Sequence, residues 1–364
     1  MIRTRKLQRA LIAAVGAAVI ALAVPPAAHA QRGRAQQEIG AQLDWWPVRG
    51  NIWMLVGAGA NITASVGPDG VFLVNVGEAQ AGERVHEAIR DLQAQLNSFG
   101  FLDVRLPERG GAETRSRFPV NTQAPPKPIR YIVNTSPLPH NVGANEYLAS
   151  SGVTYTGGNV AGTIADSAEG AAVLAHENVL VRMVSTGAPF DALPTETYFV
   201  DEYKLSTFFN DEGVRIVHVA NATTDGDSLV YFRGSDVIAA GDLFNMETFP
   251  VIDVDQGGSI DGVLYGLNYI LDLAIPEFRT EGGTMVIPGR GRLADSADVG
   301  YYRDMLTIIR DQVRDLVERG MTLEQVIDAR PTFGYEGRFG ADDGPWTTEM
   351  FIEAVYRSLK EGQN

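Results

Sequence analysis

Ser136 and His140 share one polar turn, Asn134-Thr-Ser-Pro-Leu-Pro-His-Asn141, and a hydroxyl with an imidazole nearby are the parts of a nucleophile and its base. A triad also needs a group that orients the base, all within hydrogen-bond reach, and adjacency in the chain does not supply that. The turn follows a β-branched run at 129–133. It precedes Gly143-Ala-Asn-Glu146, where an apolar helical pattern begins. It therefore sits at the mouth of a strand-to-helix junction, where α/β folds keep their chemistry. Two other places carry suitable groups. The carboxylates of Asp225-Gly226-Asp227 suit a calcium ion or a general acid and base. His176, beside Glu177 and Asn178 inside what reads as a helix over 171–183, is a structural residue rather than a ligand.

The elements that must position these groups come in two β-rich halves. The first reads as strands at 48–56 and 60–66, a Pro68-Asp69-Gly70 turn and a strand at 71–76. An amphipathic helix at 79–96 follows, with Val85, Ile89 and Leu92 on one face. Residues 97–127 hold no sustained period and read as a surface insertion. Beyond the polar turn the pattern gives a helix at 145–150, a short strand near Thr154 and the helix at 171–183. The second half reads as strands at 203–209, 214–219, 228–232 and 237–240. Helices are expected at 259–273, 297–319, 323–329 and 347–359, with Gly320 as a stop signal. Two such halves, each followed by helices, predict a four-layer αββα sandwich of the α/β (α+β) class, one domain over 43–362.

Composition bounds the rest. At 364 residues, 45% hydrophobic and 9% aromatic, the chain can bury a sizeable core. Its first thirty residues carry Arg3, Arg5, Lys6 and Arg9, an apolar run at 10–24 and the small-residue end Ala28-His29-Ala30. This is the pattern of a secretory signal peptide, cleaved before Gln31 and followed by a linker at 31–42. The apolar run of about 15 residues falls short of the roughly 20 a membrane span needs, and no later stretch is longer. Loss of the leader's four basic residues leaves 26 basic against 45 acidic, a net charge of −19 instead of −15. Nucleic acid is a poor partner for such a chain. With no cysteine, an exported chain is held by its core alone, without disulfides or thiolate metal sites, as suits a bacterial periplasm or secretion.

In frame and flanks the polar turn resembles the signature of the metallo-β-lactamase superfamily, in which Asn-Thr precedes His-x-His-x-Asp-His. Ser136, Leu138, His140 and Asn141 stand at the four ligand positions. Other blocks extend the resemblance over about 43–359. Asn51-Ile-Trp-Met-Leu-Val and Gly70-Val-Phe-Leu-Val-Asn-Val-Gly77 are similar to the opening meander, with Asn75-Val-Gly where Asp-Thr-Gly is usual. Asn221-Ala-Thr-Thr-Asp-Gly-Asp-Ser228 places Thr223 at a ligand histidine. Ala240-Gly-Asp-Leu-Phe244 keeps the metal-bridging aspartate as Asp242, and Pro288-Gly-Arg-Gly291 puts Arg290 at the last histidine.

The resemblance implies a dinuclear zinc hydrolase whose ligands are here degenerate. Zinc wants imidazole nitrogens and carboxylate oxygens with free lone pairs. Leu138 has none, and a guanidinium carries its charge with no acceptor. Of the seven positions only Asp242 keeps its residue, so no metal and no cofactor is expected. Ser136 becomes a small residue filling an imidazole's place, and Asp225 and Asp227 become turn and supporting residues. An isolated buried Asp242 is costly, so Arg290 is expected to pair with it, plugging the pocket or keeping a face for a small anionic ligand. Three functions follow as expectations. The first is an exported, non-catalytic binding protein. The others are a hydrolase of an ester, lactam or lactone with non-standard metal ligands, and a subunit that pairs with an intact homologous protein.

Overall fold

The computed structural model describes residues 39–99, 103–105, 115–117, 126–154, 170–205, 208–275 and 283–361. The expected signal peptide and most of the linker lie outside them. The chain opens with a hairpin, β1 (Asp44–Arg49) and β2 (Ile52–Val56), where the sequence pattern reads one strand over 48–56. The break falls at Gly50, whose φ of +57° is a left-handed conformation that glycine takes without steric cost. Strands β3 (Ile62–Gly67) and β4 (Gly70–Val74) complete an antiparallel meander, and α1 (Gly82–Phe99) follows. Within the 97–127 insertion α1 continues to Phe99, and β5 (Asp103–Arg105) pairs antiparallel with β6 (Arg115–Arg117).

Next come β7 (Ile129–Asn134), α2 (Pro139–Val142), α3 (Asn145–Ser150), β8 (Ala172–His176), α4 (Glu177–Ser185) and β9 (Glu196–Tyr198). The expected helix over 171–183 is thus a strand and then a helix. Ala172-Val-Leu-Ala-His176 is buried throughout, and a short apolar run buried on both faces has no alternation to tell strand from helix. Near Thr154 there is a single bridge, between Val153 and Gly170. Strands β4, β7, β8 and β9 are parallel, and the seven-stranded sheet runs β1-β2-β3-β4-β7-β8-β9.

The second sheet contains β10 (Glu202–Lys204), β11 (Val214–His218), β12 (Ser228–Phe232) and β13 (Val237–Asn245). After α5 (Ile260–Leu273) it is closed by β14 (Met285–Arg290), parallel to β13. Of the expected strand at 203–209 only its beginning is in β10, and Phe209 instead bridges Glu212. The tail is α6 (Ser296–Glu318), α7 (Leu323–Asp328), α8 (Glu336–Phe339) and α9 (Thr348–Glu361). Capping boxes at Asp295 and Thr322 start α6 and α7.

Strand alternation sorts side chains into layers. Phe72 and Val74 of β4, Tyr131 and Val133 of β7, Val230 and Phe232 of β12, and Val237 and Ala239 of β13 meet between the sheets. Val71, Leu73 and Ile132 face the other way, onto Val85, Ile89 and Leu92 of α1 and Leu148 of α3. Leu229, Ile238 and Ala240 pack under α5, α6 and α9. The result is helix, sheet, sheet, helix, the four layers the sequence predicts. At the centre Phe72 lies 5.8 Å edge-on to Phe232, and Tyr131 lies 5.4 Å edge-on to Phe209. Such pairs add about 0.5–1.5 kcal/mol each beyond burial. Among the described residues no helix is long and apolar enough to cross a membrane.

Candidate functional site

The site forms where the C-terminal end of β7 meets β13. Asn75, at φ +62°, accepts the Thr135 amide at its Oδ1 and donates from Nδ2 to the Thr135 hydroxyl, both at 2.9 Å. From the other sheet, Ser228 donates its amide to the Thr135 carbonyl at 2.8 Å. Thr135 is thereby clamped between the sheets, which fixes the start of the polar turn. Gly241, at φ +53°, passes so close that a Cβ there would lie 2.5 Å from Thr135 Oγ1. Only glycine lets β13 bring the next residue, Asp242, to the turn. Gly289 likewise lies against the Gly241 carbonyl, where a Cβ would come within 2.7 Å.

Asp242 is the hub. His140 Nε2 lies 2.8 Å from its Oδ1, while Ser136 Oγ and Asn141 Nδ2 donate to Oδ2 at 3.0 and 2.6 Å. Ser136 Oγ also accepts from Asn141 Nδ2 at 2.7 Å and from the Leu138 amide at 3.3 Å. The hydroxyl therefore has its proton on Asp242 and both lone pairs occupied, and it does not bond to His140, so no Ser-His arrangement exists. The side chains of Asp242 and His140 are only 10% and 15% exposed. Burial alone would raise the Asp242 carboxyl, but the charge and hydrogen bond of His140, with those of Ser136 and Asn141, outweigh it and hold the pKa below the ordinary 3.8. Burial would lower His140, yet the charge and hydrogen bond of Asp242 outweigh that and raise it above 6.5, against a lowering push from Arg290. The two form a charged pair.

Four of the seven sequence candidates thus converge: Ser136, His140, Asn141 and Asp242. Leu138, half-buried, contributes its backbone as the residue before α2. Thr223 turns elsewhere and donates at 2.6 Å to Asp227, whose carboxylate also gathers the amide and hydroxyl of Thr224. Asp227 is fully buried, and burial, opposed by the bond from Thr223, pushes its pKa to about 7. Asp225 forms a two-point ion pair with Arg182, at 3.2 and 2.7 Å. Both aspartates are thereby tied into the turn.

The expected Arg290–Asp242 pair does not form. Both oxygens of Asp242 are taken, and a second cation drawn there would face the charged His140 ring. Arg290 is half-buried, its carbonyl accepts the Met246 amide at 3.1 Å, and its guanidinium makes no hydrogen bond or ion pair among the described residues. The loop that carries it is held by Asn61, whose amide nitrogen Nδ2 donates at 2.9 Å to the carbonyls of Pro288 and Gly291. Sequence reasoning missed Asn61. It also missed the reciprocal pair Asn134–Asn145, at 3.1 and 2.8 Å, which ties β7 to α3; isolated asparagines carry no spacing signal.

Neither a family model nor a curated protein matches the sequence. Among solved structures the chain is similar to the stereoselective inverting sec-alkylsulfatase Pisa1 from Pseudomonas sp., with a TM-score of 0.56 and 12% identity over 86% of this chain and 50% of that one. It spans about half the length of that protein. It is also similar to DIM-1 metallo-β-lactamase, with a TM-score of 0.48 and 11% identity over 73% of this chain and 97% of that one. A metallo-β-lactamase from Pontibacter korlensis gives the same score and identity, over 73% and 99%. The likeness to the sec-alkylsulfatase is one of fold, the arrangement of helix, sheet, sheet and helix. At 12% identity this likeness concerns architecture and not chemistry.

The residues present do not fit the zinc ions that the sequence resemblance implies. Asp242 has both oxygens engaged, and His140 spends Nε2 on it. Leu138 and Arg290 have no donor atom for a metal. Among the described residues no group of three or more His, Cys, Asp or Glu is placed to hold a metal ion.

Proposed function

We propose that this chain is an exported protein of the metallo-β-lactamase fold that binds a small anion instead of hydrolysing a substrate. The observation that carries the reading is the filled centre: Asp242 is neutralised by His140 and saturated by Ser136 and Asn141. At its edge two cationic groups remain available. Among the described residues Arg290 has an unengaged guanidinium, and His140, with Nε2 on Asp242, keeps Nδ1–H without a partner. A carboxylate or a phosphate oxygen suits both donors. Export rests on the leader pattern at 1–30.

A second reading, hydrolysis with His140 as general base, draws on its 2.8 Å contact with Asp242, the way a carboxylate orients an imidazole. A base must be neutral, and Asp242 raises the pKa of His140 and so favours the protonated ring.

Two measurements test the proposal. Elemental analysis of protein prepared without metal and after zinc soaking, beside an ester, lactam and lactone panel, should give substoichiometric zinc and no turnover; tight stoichiometric zinc overturns it. Titration with inorganic phosphate should show saturable binding that weakens on the order of tenfold in Arg290→Gln, the loss of one charge-assisted contact.

A further inference from the structure

A second pair of histidines lies outside this site. His176 ends β8 and His218 ends β11, so the pair joins the two sheets. Their rings stack with centroids 3.7 Å apart and planes 3° from parallel. Each ring's proton is placed by a backbone group. His176 Nδ1 accepts the Asn178 amide at 3.3 Å and so caps α4, which requires its hydrogen on Nε2. His218 Nδ1 lies 3.0 Å from the Asp227 carbonyl, which can only accept, so that nitrogen carries the hydrogen.

Around the stack, α4 is docked on the 221–228 turn. Asn178 Nδ2 donates to the Asp225 carbonyl at 2.9 Å, and Arg182 grips the Asp225 carboxylate. Behind α4, Val179 and Met183 are buried with Ala175 and Ala192. Other groups face the stack. Tyr198 of β9 lies 5.5 Å edge-on to His176, and its hydroxyl is within hydrogen-bond distance of Ser228. Asp201 accepts the His218 amide at its carbonyl. Asp225 and Asp201 favour charge on the rings, but Asp225 is already neutralised by Arg182. Glu177 begins α4, and Asp227 faces Thr223 and Thr224.

We propose that the stacked His176–His218 pair is an acid-sensitive latch that holds α4 against the 221–228 turn and releases it when His176 takes a proton. The incoming proton has one place to go on His176. Nε2 already carries a hydrogen, so it must enter at Nδ1, the atom that caps α4. An imidazolium has no acceptor, so the cap is lost. The new charge also faces the positive end of the helix dipole and the second ring. On His218 the proton goes to Nε2 and leaves the bond to Asp227 intact, so His176 is the sensitive member. The direction agrees with the electrostatics. Burial, then His218, lower His176 from 6.5 to about 4, against the pull of Asp225 and Asp201. Burial lowers His218 as well.

A released α4 regains the ordinary histidine pKa and so binds more protons than the docked one between about pH 6.5 and pH 4. Docking is complete above that window, weakens as pH falls through it, and loses nothing further below.

Amide hydrogen exchange of the full chain at pH 7 and pH 5, corrected for intrinsic rates and referenced to α6, tests the latch. Protection of α4 should fall on the order of tenfold in the wild type. His176→Asn, which keeps a capping oxygen and cannot titrate, should show no such fall. Unchanged protection in the wild type, or an equal loss in His176→Asn, overturns the proposal. Should that variant fail to fold, the wild-type imidazole NMR titration decides: a His176 midpoint well below 6.5 supports the latch, and one near 6.5 sinks it.

Discussion

Two histidine sites in this chain respond to their surroundings in opposite ways. His140 and His176 are both largely buried, and burial pushes both toward the neutral ring. His140 meets the Asp242 carboxylate at 2.8 Å and is held charged. His176 meets an amide hydrogen at Nδ1 and a second imidazole on its face, and is held neutral. Depth does not decide the charge of a buried imidazole; the partner's sign does. The first pair forms the centre of the polar cluster at the end of β7, and the second joins a helix to a turn.

The sharpest way to break this contrast is to remove the carboxylate. Asp242→Ala leaves His140, Ser136 and Asn141 with buried unmet donors and should cost about 3 kcal/mol in urea unfolding at pH 6. The His140 NMR midpoint should then fall below 6.5. His140→Gln should cost about 2 kcal/mol at pH 6, since Asp242 keeps its neutral hydrogen bonds and loses its counter-charge. This gap depends on pH with a defined sign. The raised pKa of His140 gives stability that is complete below pH 6.5 and lost as pH rises through the folded value. The lowered pKa of Asp242 gives stability present above pH 3.8 and lost as pH falls through its folded value. The difference between wild type and His140→Gln is therefore widest between those limits.

The stacked pair should behave in the reverse sense. His176→Asn should cost about 1 kcal/mol at pH 7 for lost ring packing, and the gap should close as pH falls toward 5, where the wild type pays for protonating His176. Smallest of all, Arg290→Ala should leave unfolding within about 0.5 kcal/mol of wild type, because its guanidinium holds nothing in the fold among the described residues. The same variant should lose phosphate affinity, separating a ligand-binding role from a structural one.

Much of the site could be read from the chain. The polar turn after the β-branched run and Arg290 lie where β7 and β14 end, and Gly241-Asp242, where the sequence pattern ends a strand at 240, lies inside a β13 that runs on to Asn245. The partner of Asp242 could not be read. The sequence pointed to Arg290, and the partner is instead His140, because α2 brings its ring to Oδ1 while Asn61 holds the other loop in place. The strand at 172–176 was also hidden, because a run buried on both faces loses the alternation that distinguishes strand from helix. With it went the significance of His176, which becomes a helix cap only once that strand ends at it.

By itself the sequence determined the layers and the absence of a metal-ligating side chain at Leu138 and Arg290. Periodicity and residue type are local properties, and a leucine or a guanidinium cannot offer a metal a lone pair in any fold. Tertiary structure decided which charges meet and which rings stack. His140 and Asp242 are 102 residues apart, and His176 and His218 belong to different sheets. Electrostatic energy falls so steeply with distance that only their assembled positions set whether each imidazole keeps its proton.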